Sequence, residues 1–308
     1  MRDININGNV PAAILPMTKD FTPDMDAYRG YLEWLIAQKA DAFAVNMDTG
    51  EGSQLTIEER LNVVRVAKEI AKDQIPVLTG VMGGATTDAV TLARRYAEAG
   101  ADALVVFPNA AFRNVPLDPR IPVNYHRSIT CESGLPLVLF QLAPVFGGVI
   151  YTRATLLELL NIPQVIAIKE ASFDASYFAF TVETLSMANR PITLLTGNDR
   201  FITESFLLGA TGALLGFAAI GCGLVAQQIA ALHQGDYKKV VDLRSRVQGF
   251  ADYIYKDPVL DYRARCKAAL ARIGVIDSSR IYVRPPLLAM PEEEFPVMDE
   301  ALRQAGLL

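Results

Sequence analysis

The chain has 308 residues, 51% of them hydrophobic and 20% charged, a balance that buries a large core and excludes an intrinsically disordered chain. A net charge of −5 excludes the basic footprint of a nucleic-acid binder. The longest apolar runs have strand length and are broken by glycine or charge. They argue against a membrane-spanning helix, and no cationic start leads into an apolar run of signal-peptide type near Met1. Cys131, Cys222 and Cys266 are scattered without CxxC spacing and read as free thiols of a reducing compartment, so a cytoplasmic protein is expected.

From the N-terminus, short β-rich apolar runs alternate with amphipathic stretches of helical length. The runs are Val10–Leu15, Ala42–Val45, Ile75–Leu78, Ala103–Phe107, Leu137–Phe140, Val165–Ile168, Ile192–Leu195 and Ala213–Phe217. Asp26–Gln38 and Thr56–Ala71 read as helices, and Thr56 with Glu59 three residues on forms a capping box. In Thr86–Gly100 the residues Val90, Leu92, Ala93, Tyr96 and Ala97 recur at i, i+3, i+4 spacing, with Thr87 as N-cap and Gly100 just past the end. Continuous apolar runs joined by helical crossovers predict strands buried on both faces of a parallel sheet. Eight such units in about 220 residues fit an α/β fold, the (β/α)8 TIM barrel. A doubly wound open sheet calls for a glycine-rich phosphate turn after the first strand, and "AAILPMTKD" (Ala12–Asp20) has none. Past residue 235 the strand pattern stops: Asp236–Tyr255, Pro258–Gly274 and the stretch from Glu292 to Ala305 read as helices. The expected division is a barrel over residues 1–235 and a helical extension over residues 236–308.

A barrel of this kind takes its chemistry from the C-terminal ends of its strands. Lys169 ends the apolar run of the sixth strand in "VIAIKEAS" (Val165–Ser172). A lysine held there against apolar walls loses solvation, its ammonium form is disfavoured, and its amine becomes a nucleophile able to form an imine with a 2-oxo acid. A strand-edge lysine whose head reaches water fits the periodicity equally. After the second strand, "NMDTGEGSQLTIEER" (Asn46–Arg60) offers a Thr-Gly turn as a small anion cradle, or an ordinary βα loop. Arg113, in an otherwise apolar loop after the fourth strand, suits capture of a carboxylate or a polyol, or is a solvated loop arginine. The two histidines, His126 and His233, have no neighbouring ligand set, so zinc and a Ser-His-Asp triad are not expected, and His126 reads as a helix-surface residue.

The order of these motifs resembles the dihydrodipicolinate synthase / N-acetylneuraminate lyase superfamily of class I, Schiff-base-forming lyases. "DTGE" (Asp48–Glu51), "LTIEER", "IPVLTGV" (Ile75–Val81), "AIKEAS" (Ala167–Ser172) and "TGND" (Thr196–Asp199) carry it. The resemblance implies that Lys169 forms the imine, that Thr49 and Gly50 hold the substrate's 1-carboxylate, that no cofactor or metal is needed, and that the chain forms a homotetramer of tight dimers. Phe140 and Gln141 at the end of the fifth strand, and Asn198 in "TGND", are expected to contact substrate along with Arg113. Three departures stand out. "FPNAAFRNVP" places Asn109 and Ala110 where the family carries Pro-Tyr-Tyr, whose second tyrosine relays protons; the fifth strand ends "FQLAP" instead of Tyr-Asn-x-Pro; and Asp48 replaces the first Thr or Ser of the carboxylate loop. Asp48 is therefore the candidate replacement for the relay, against the alternative that it caps its own turn.

The leading reading is an aldolase or dehydratase acting on pyruvate or a 2-oxo or 2-keto-3-deoxy acid, with "FQLAP" and Phe112–Arg113 leaning toward the sugar-acid dehydratases. The alternatives are an oxo-acid binder without turnover and the dihydrodipicolinate synthase itself.

Overall fold

A computed structural model of the chain describes residue 4 and residues 6–113 and 117–308. Among these, eight strands alternate with eight helices: β1 Asn9–Pro11, α1 Met25–Ala37, β2 Phe43–Val45, α2 Ile57–Ala71, β3 Val77–Val81, α3 Thr86–Glu98, β4 Ala103–Val106 and α4 Arg120–Ser133. The second half repeats the pattern with β5 Leu137–Leu142, α5 Arg153–Leu160, β6 Val165–Ala171, α6 Ala175–Ser186, β7 Thr193–Thr196, α7 Ile202–Leu208, β8 Gly212–Leu215 and α8 Ala218–Gln234. The strands are parallel, β1 pairs with β8, and Ala12, just past β1, bridges Ala44 of β2. The Ala13 N–H donates to the Ala44 carbonyl at 2.9 Å, which draws the two edges together and closes the (β/α)8 barrel. Among the described residues no helix is long and apolar enough to cross a membrane.

Local signals explain most boundaries. Thr56 and Glu59 form the expected reciprocal cap on α2, and Asp24 accepts from the N–H groups of Asp26 and Ala27 at the start of α1. The start of α3 differs from expectation: Ala85 occupies the N-cap position without a side-chain bond, and Thr87 lies inside the helix. The sixth strand also runs past its expected end at Ile168, as far as Ala171. Apolar continuity stops where inward side chains turn polar, whereas the hydrogen-bonded ladder to β5 and β7 continues through Lys169 and Glu170.

The extension contributes α9 Tyr237–Ile254, α10 Tyr262–Arg272 and α11 Phe295–Ala305. Phe250 stacks edge-on against Phe217, with centroids 5.6 Å apart, and both are buried. His126 is fully buried, its Nδ1 2.7 Å from the Pro122 carbonyl, and burial lowers its pKa to about 4. Its ring packs edge-on against Tyr125 and Tyr151, contrary to its expected place on a surface.

Candidate active site

Lys169 sits within β6 in register with Phe140 of β5 and Leu195 of β7, its side chain directed into the barrel. It is 8% exposed, and its Nζ stands 4.2 Å from the centroid of the Phe140 ring. Phe107 meets Phe140 edge-on at 4.9 Å, so an aromatic wall flanks the lysine. Burial lowers the Lys169 pKa to about 8, and the attraction of Asp199, then of Asp48, opposes that fall. Space for the stem comes from Gly197, where a Cβ would stand 2.7 Å from Lys169 Cε.

Asp199 is 6% exposed, and its Oδ1 accepts the Phe217 N–H at 2.7 Å. Burial raises its pKa to about 6. The Tyr255 phenol, at the end of α9, lies beside it with its hydroxyl buried. A Cβ on Gly216 would stand 2.3 Å from that hydroxyl and 3.2 Å from the Thr49 hydroxyl, so both oxygens converge on the floor left open by the glycine after β8. Tyr262, the first residue of α10, lies beside Thr49.

These groups open onto one cavity of about 720 Å³ at the C-terminal end of the strands. Lys169, Asp48, Thr49 and Phe140 all line it, together with Asp199, Tyr255, Tyr262 and Arg263. Asp48 stands at its wall with its side chain 41% exposed and 3.7 Å from Arg263 Nη2, while Arg263 Nε donates to the Asp48 carbonyl at 2.7 Å.

Four other expected residues are placed elsewhere. The Gly50 N–H donates to the Met47 carbonyl at 3.1 Å, inside its own turn, and Gly50 does not line the cavity. Gln141 faces away from the barrel axis: it is fully buried, donates to Thr181 Oγ1 at 2.9 Å and accepts the Tyr151 N–H at 3.0 Å. Asn198, also fully buried, donates to the Glu170 carboxylate at 2.8 Å and accepts the Phe173 N–H at 2.7 Å, a clasp behind the cavity wall. Arg113 is exposed outside the cavity, with its guanidinium against Gly147. Asn109, at the family's first tyrosine position, spends its amide on the Gly83 carbonyl at 2.9 Å and on the Ala111 N–H, and Ala110 is exposed. Among the described residues no group of three or more His, Cys, Asp or Glu side chains comes together as metal ligands would.

Sequence reasoning missed Asp199, Tyr255, Tyr262 and Arg263. Asp199 had a usable signal, since it follows Asn198 in a motif already singled out. Tyr255, Tyr262 and Arg263 had none, because the extension reaches the barrel mouth only in three dimensions.

The model of the dihydrodipicolinate synthetase family matches residues 5–305. The chain belongs to that family, within the Schiff-base-forming lyases its motifs resemble. A 4-hydroxy-tetrahydrodipicolinate synthase of Azoarcus sp. (strain BH72) is 28% identical over 305 residues, covering 98% of this chain and 99% of that protein. The same-named protein of Maridesulfovibrio salexigens is 28% identical over 309 residues, covering 99% and 100%. Among solved structures, the dihydrodipicolinate synthase of Bacteroides thetaiotaomicron superposes with a TM-score of 0.88 at 26% identity, covering 98% of this chain and 99% of that one. A prophage protein of E. coli K12, solved in complex with pyruvate, shares the fold with a TM-score of 0.89 at 23% identity, covering 98% and 99%.

Proposed function

We propose that this chain is a class I aldolase or dehydratase of 2-oxo acids that works through an imine on Lys169. The observation that carries the reading is the buried amine of Lys169, with its pKa lowered to about 8, facing a cavity at the barrel mouth. At neutral pH a lysine with that pKa holds its reactive free-base form roughly 300-fold more often than one at the ordinary 10.5. The amine attacks C2 of the oxo acid, and the C2 oxygen leaves as water. The iminium that remains draws electrons away from C3. We assign the 1-carboxylate to the Thr49 hydroxyl, since Thr49 lines the same cavity as Lys169.

A proton must then leave, from the C4 hydroxyl in aldol cleavage or from C3 in dehydration. Asp199 is the acceptor we assign. It is buried in the cavity wall, its pKa of about 6 suits proton exchange near neutrality, and it attracts the Lys169 ammonium more strongly than Asp48 does. Asp48 is engaged with Arg263 and is the less suited of the two.

The test is borohydride reduction in the presence of pyruvate, followed by intact-mass measurement and peptide mapping. The reading requires one adduct, on Lys169, and none in Lys169→Arg. An adduct on another lysine, or none, overturns it. A second reading, the 4-hydroxy-tetrahydrodipicolinate synthase activity in the names of the curated relatives, rests on their 28% identity over nearly the whole chain. Pyruvate-dependent formation of 4-hydroxy-tetrahydrodipicolinate would select it.

A further inference from the structure

The inner end of the cavity is polar and its outer end is not. Thr49, Asp199 and Tyr255 line the same cavity as Lys169, whereas the wall toward solvent is built from Leu142 at the end of β5, Val145 and Phe146 after it, Phe173 after β6, and Val259 and Leu260 before α10. Phe146 and Phe173 meet edge-on with centroids 5.4 Å apart, leaving 47% and 38% of each residue exposed. Val145 and Leu260 are 83% and 67% exposed at the same rim.

The two arginines that line the cavity, Arg200 and Arg263, are already engaged. Arg263 is tied to Asp48, and Arg200 donates to the Tyr255 carbonyl and lies 3.6 Å from Asp252. A polyol tail would carry a hydroxyl on each carbon past aromatic and aliphatic side chains that offer no hydrogen bond, and each hydroxyl stripped of water without a partner weakens binding. An apolar tail gains by covering the same surface. The volume agrees, since about 720 Å³ is the size of a cleft for a drug-sized ligand and pyruvate would occupy only its inner end. Gln141 and Arg113, which pointed toward sugar acids, both lie outside the cavity.

We infer that the substrate is a 2-oxo acid whose tail beyond C4 is apolar, an aryl or branched alkyl group seated between Phe146, Phe173 and Leu260. The inference rests on the imine reading above and narrows it to a substrate class. In the cleavage direction it takes a 4-hydroxy-2-oxo acid. With C2 held as the Lys169 iminium, the C3–C4 bond breaks and its electron pair moves onto C3 and the iminium nitrogen. The C4 hydroxyl proton passes to Asp199, and the tail leaves as an aldehyde. The remaining enamine regains a proton at C3, and water releases pyruvate and the free amine.

The test is competition for Lys169. Borohydride trapping of pyruvate is measured while 2-oxo-4-phenylbutanoate or 2-keto-3-deoxygluconate is titrated in, and the half-protecting concentration of each is read from the pyruvate adduct mass. The phenyl acid should protect at a concentration about tenfold or more below that of the sugar acid. Phe146→Ser should remove most of that advantage. Equal protection, or better protection by the sugar acid, overturns the inference while leaving the imine reading intact. So does an advantage that Phe146→Ser does not reduce, or a rim already covered by a second copy of the chain, which would leave the phenyl group nothing to gain. Absence of any adduct on Lys169 sinks the imine reading and this inference together.

Discussion

Lys267 of α10 and Glu51 of the loop after β2 form an ion pair in which neither side chain has any exposure. Lys267 also donates to the Tyr282 carbonyl at 2.7 Å, and the second oxygen of Glu51 accepts the Arg284 N–H at 2.7 Å. Glu51 adopts a left-handed backbone conformation with φ of 57°, and the buried pair holds the turn there. The helical extension is thus locked to the loop that presents Asp48 and Thr49. The same extension carries Tyr255, Tyr262 and Arg263 to the cavity, so stability and site geometry share one joint.

Breaking that joint from one side leaves a buried carboxylate without its partner. Lys267→Met should cost about 3–5 kcal/mol in denaturant unfolding, the usual penalty for orphaning one member of a buried pair. A loss below about 1 kcal/mol would show that water reaches Glu51 and that the extension is held by apolar packing alone.

The two carboxyl groups beside Lys169 separate under substitution. Asp199→Asn keeps an oxygen for the Phe217 N–H but cannot take a proton, so turnover should fall by roughly 10²–10⁴. The sign of a second effect follows from charge. Asp199 raises the Lys169 pKa, so its removal lets that pKa fall further below about 8, and the pH limb of borohydride trapping moves to lower pH. Asp48→Asn should lower turnover by less than about tenfold, since Asp48 is engaged with Arg263 at the cavity wall. The reverse ranking in kcat would return the proton-transfer role to Asp48.

The barrel was legible because fully buried parallel strands and amphipathic crossovers differ in period, and each unit repeated the contrast. The site was legible only where a single strand end carries its chemistry, as at Lys169. Adjacent residues on a strand face opposite ways. Phe140 and Lys169 are a register pair facing the cavity, so Gln141 and Glu170, the next pair, face the helices. A period-2 reading of "FQLAP" would have kept Phe140 and released Gln141. At "TGND" the two neighbours lie in the turn past β7, where Asn198 clasps Glu170 and Asp199 enters the cavity. No local pattern announces the residues from α9 and α10, because their approach to the barrel mouth is a consequence of helix packing.

Gln141 and Arg113 supply controls of opposite kind. Gln141→Leu strips partners from the buried Tyr151 N–H and the Thr181 hydroxyl and should cost about 1–3 kcal/mol of stability. Arg113→Ala removes an exposed side chain outside the cavity, so kcat/KM should stay within about twofold of the parent for a 2-oxo acid that the enzyme turns over. A larger rise in KM for Arg113→Ala would bring that guanidinium back into the site.

The sharpest probe of the lysine's placement is a single methyl group on the neighbouring strand's end. A Cβ at Gly197 would stand 2.7 Å from Lys169 Cε, 2.8 Å from Ala171 Cβ and 3.2 Å from the Glu170 carbonyl oxygen. The last two belong to the β6 wall and yield little, whereas the far end of Lys169 is flexible, so the amine is what must move. Displacement of a nucleophile by about 1 Å costs on the order of 10² in rate, while an added methyl in a packed wall costs only about 1–3 kcal/mol of stability. Gly197→Ala should therefore fold, keep its near-ultraviolet circular dichroism, and form the pyruvate adduct roughly 100-fold more slowly. The pH limb of trapping serves as an internal check, since a Lys169 amine pushed toward solvent regains hydration and its pKa rises from about 8 toward 10.5. Parent-like trapping with an unmoved limb would mean that the space beside Gly197 does not set the position of the lysine, and the glycine would be assigned to strand packing alone.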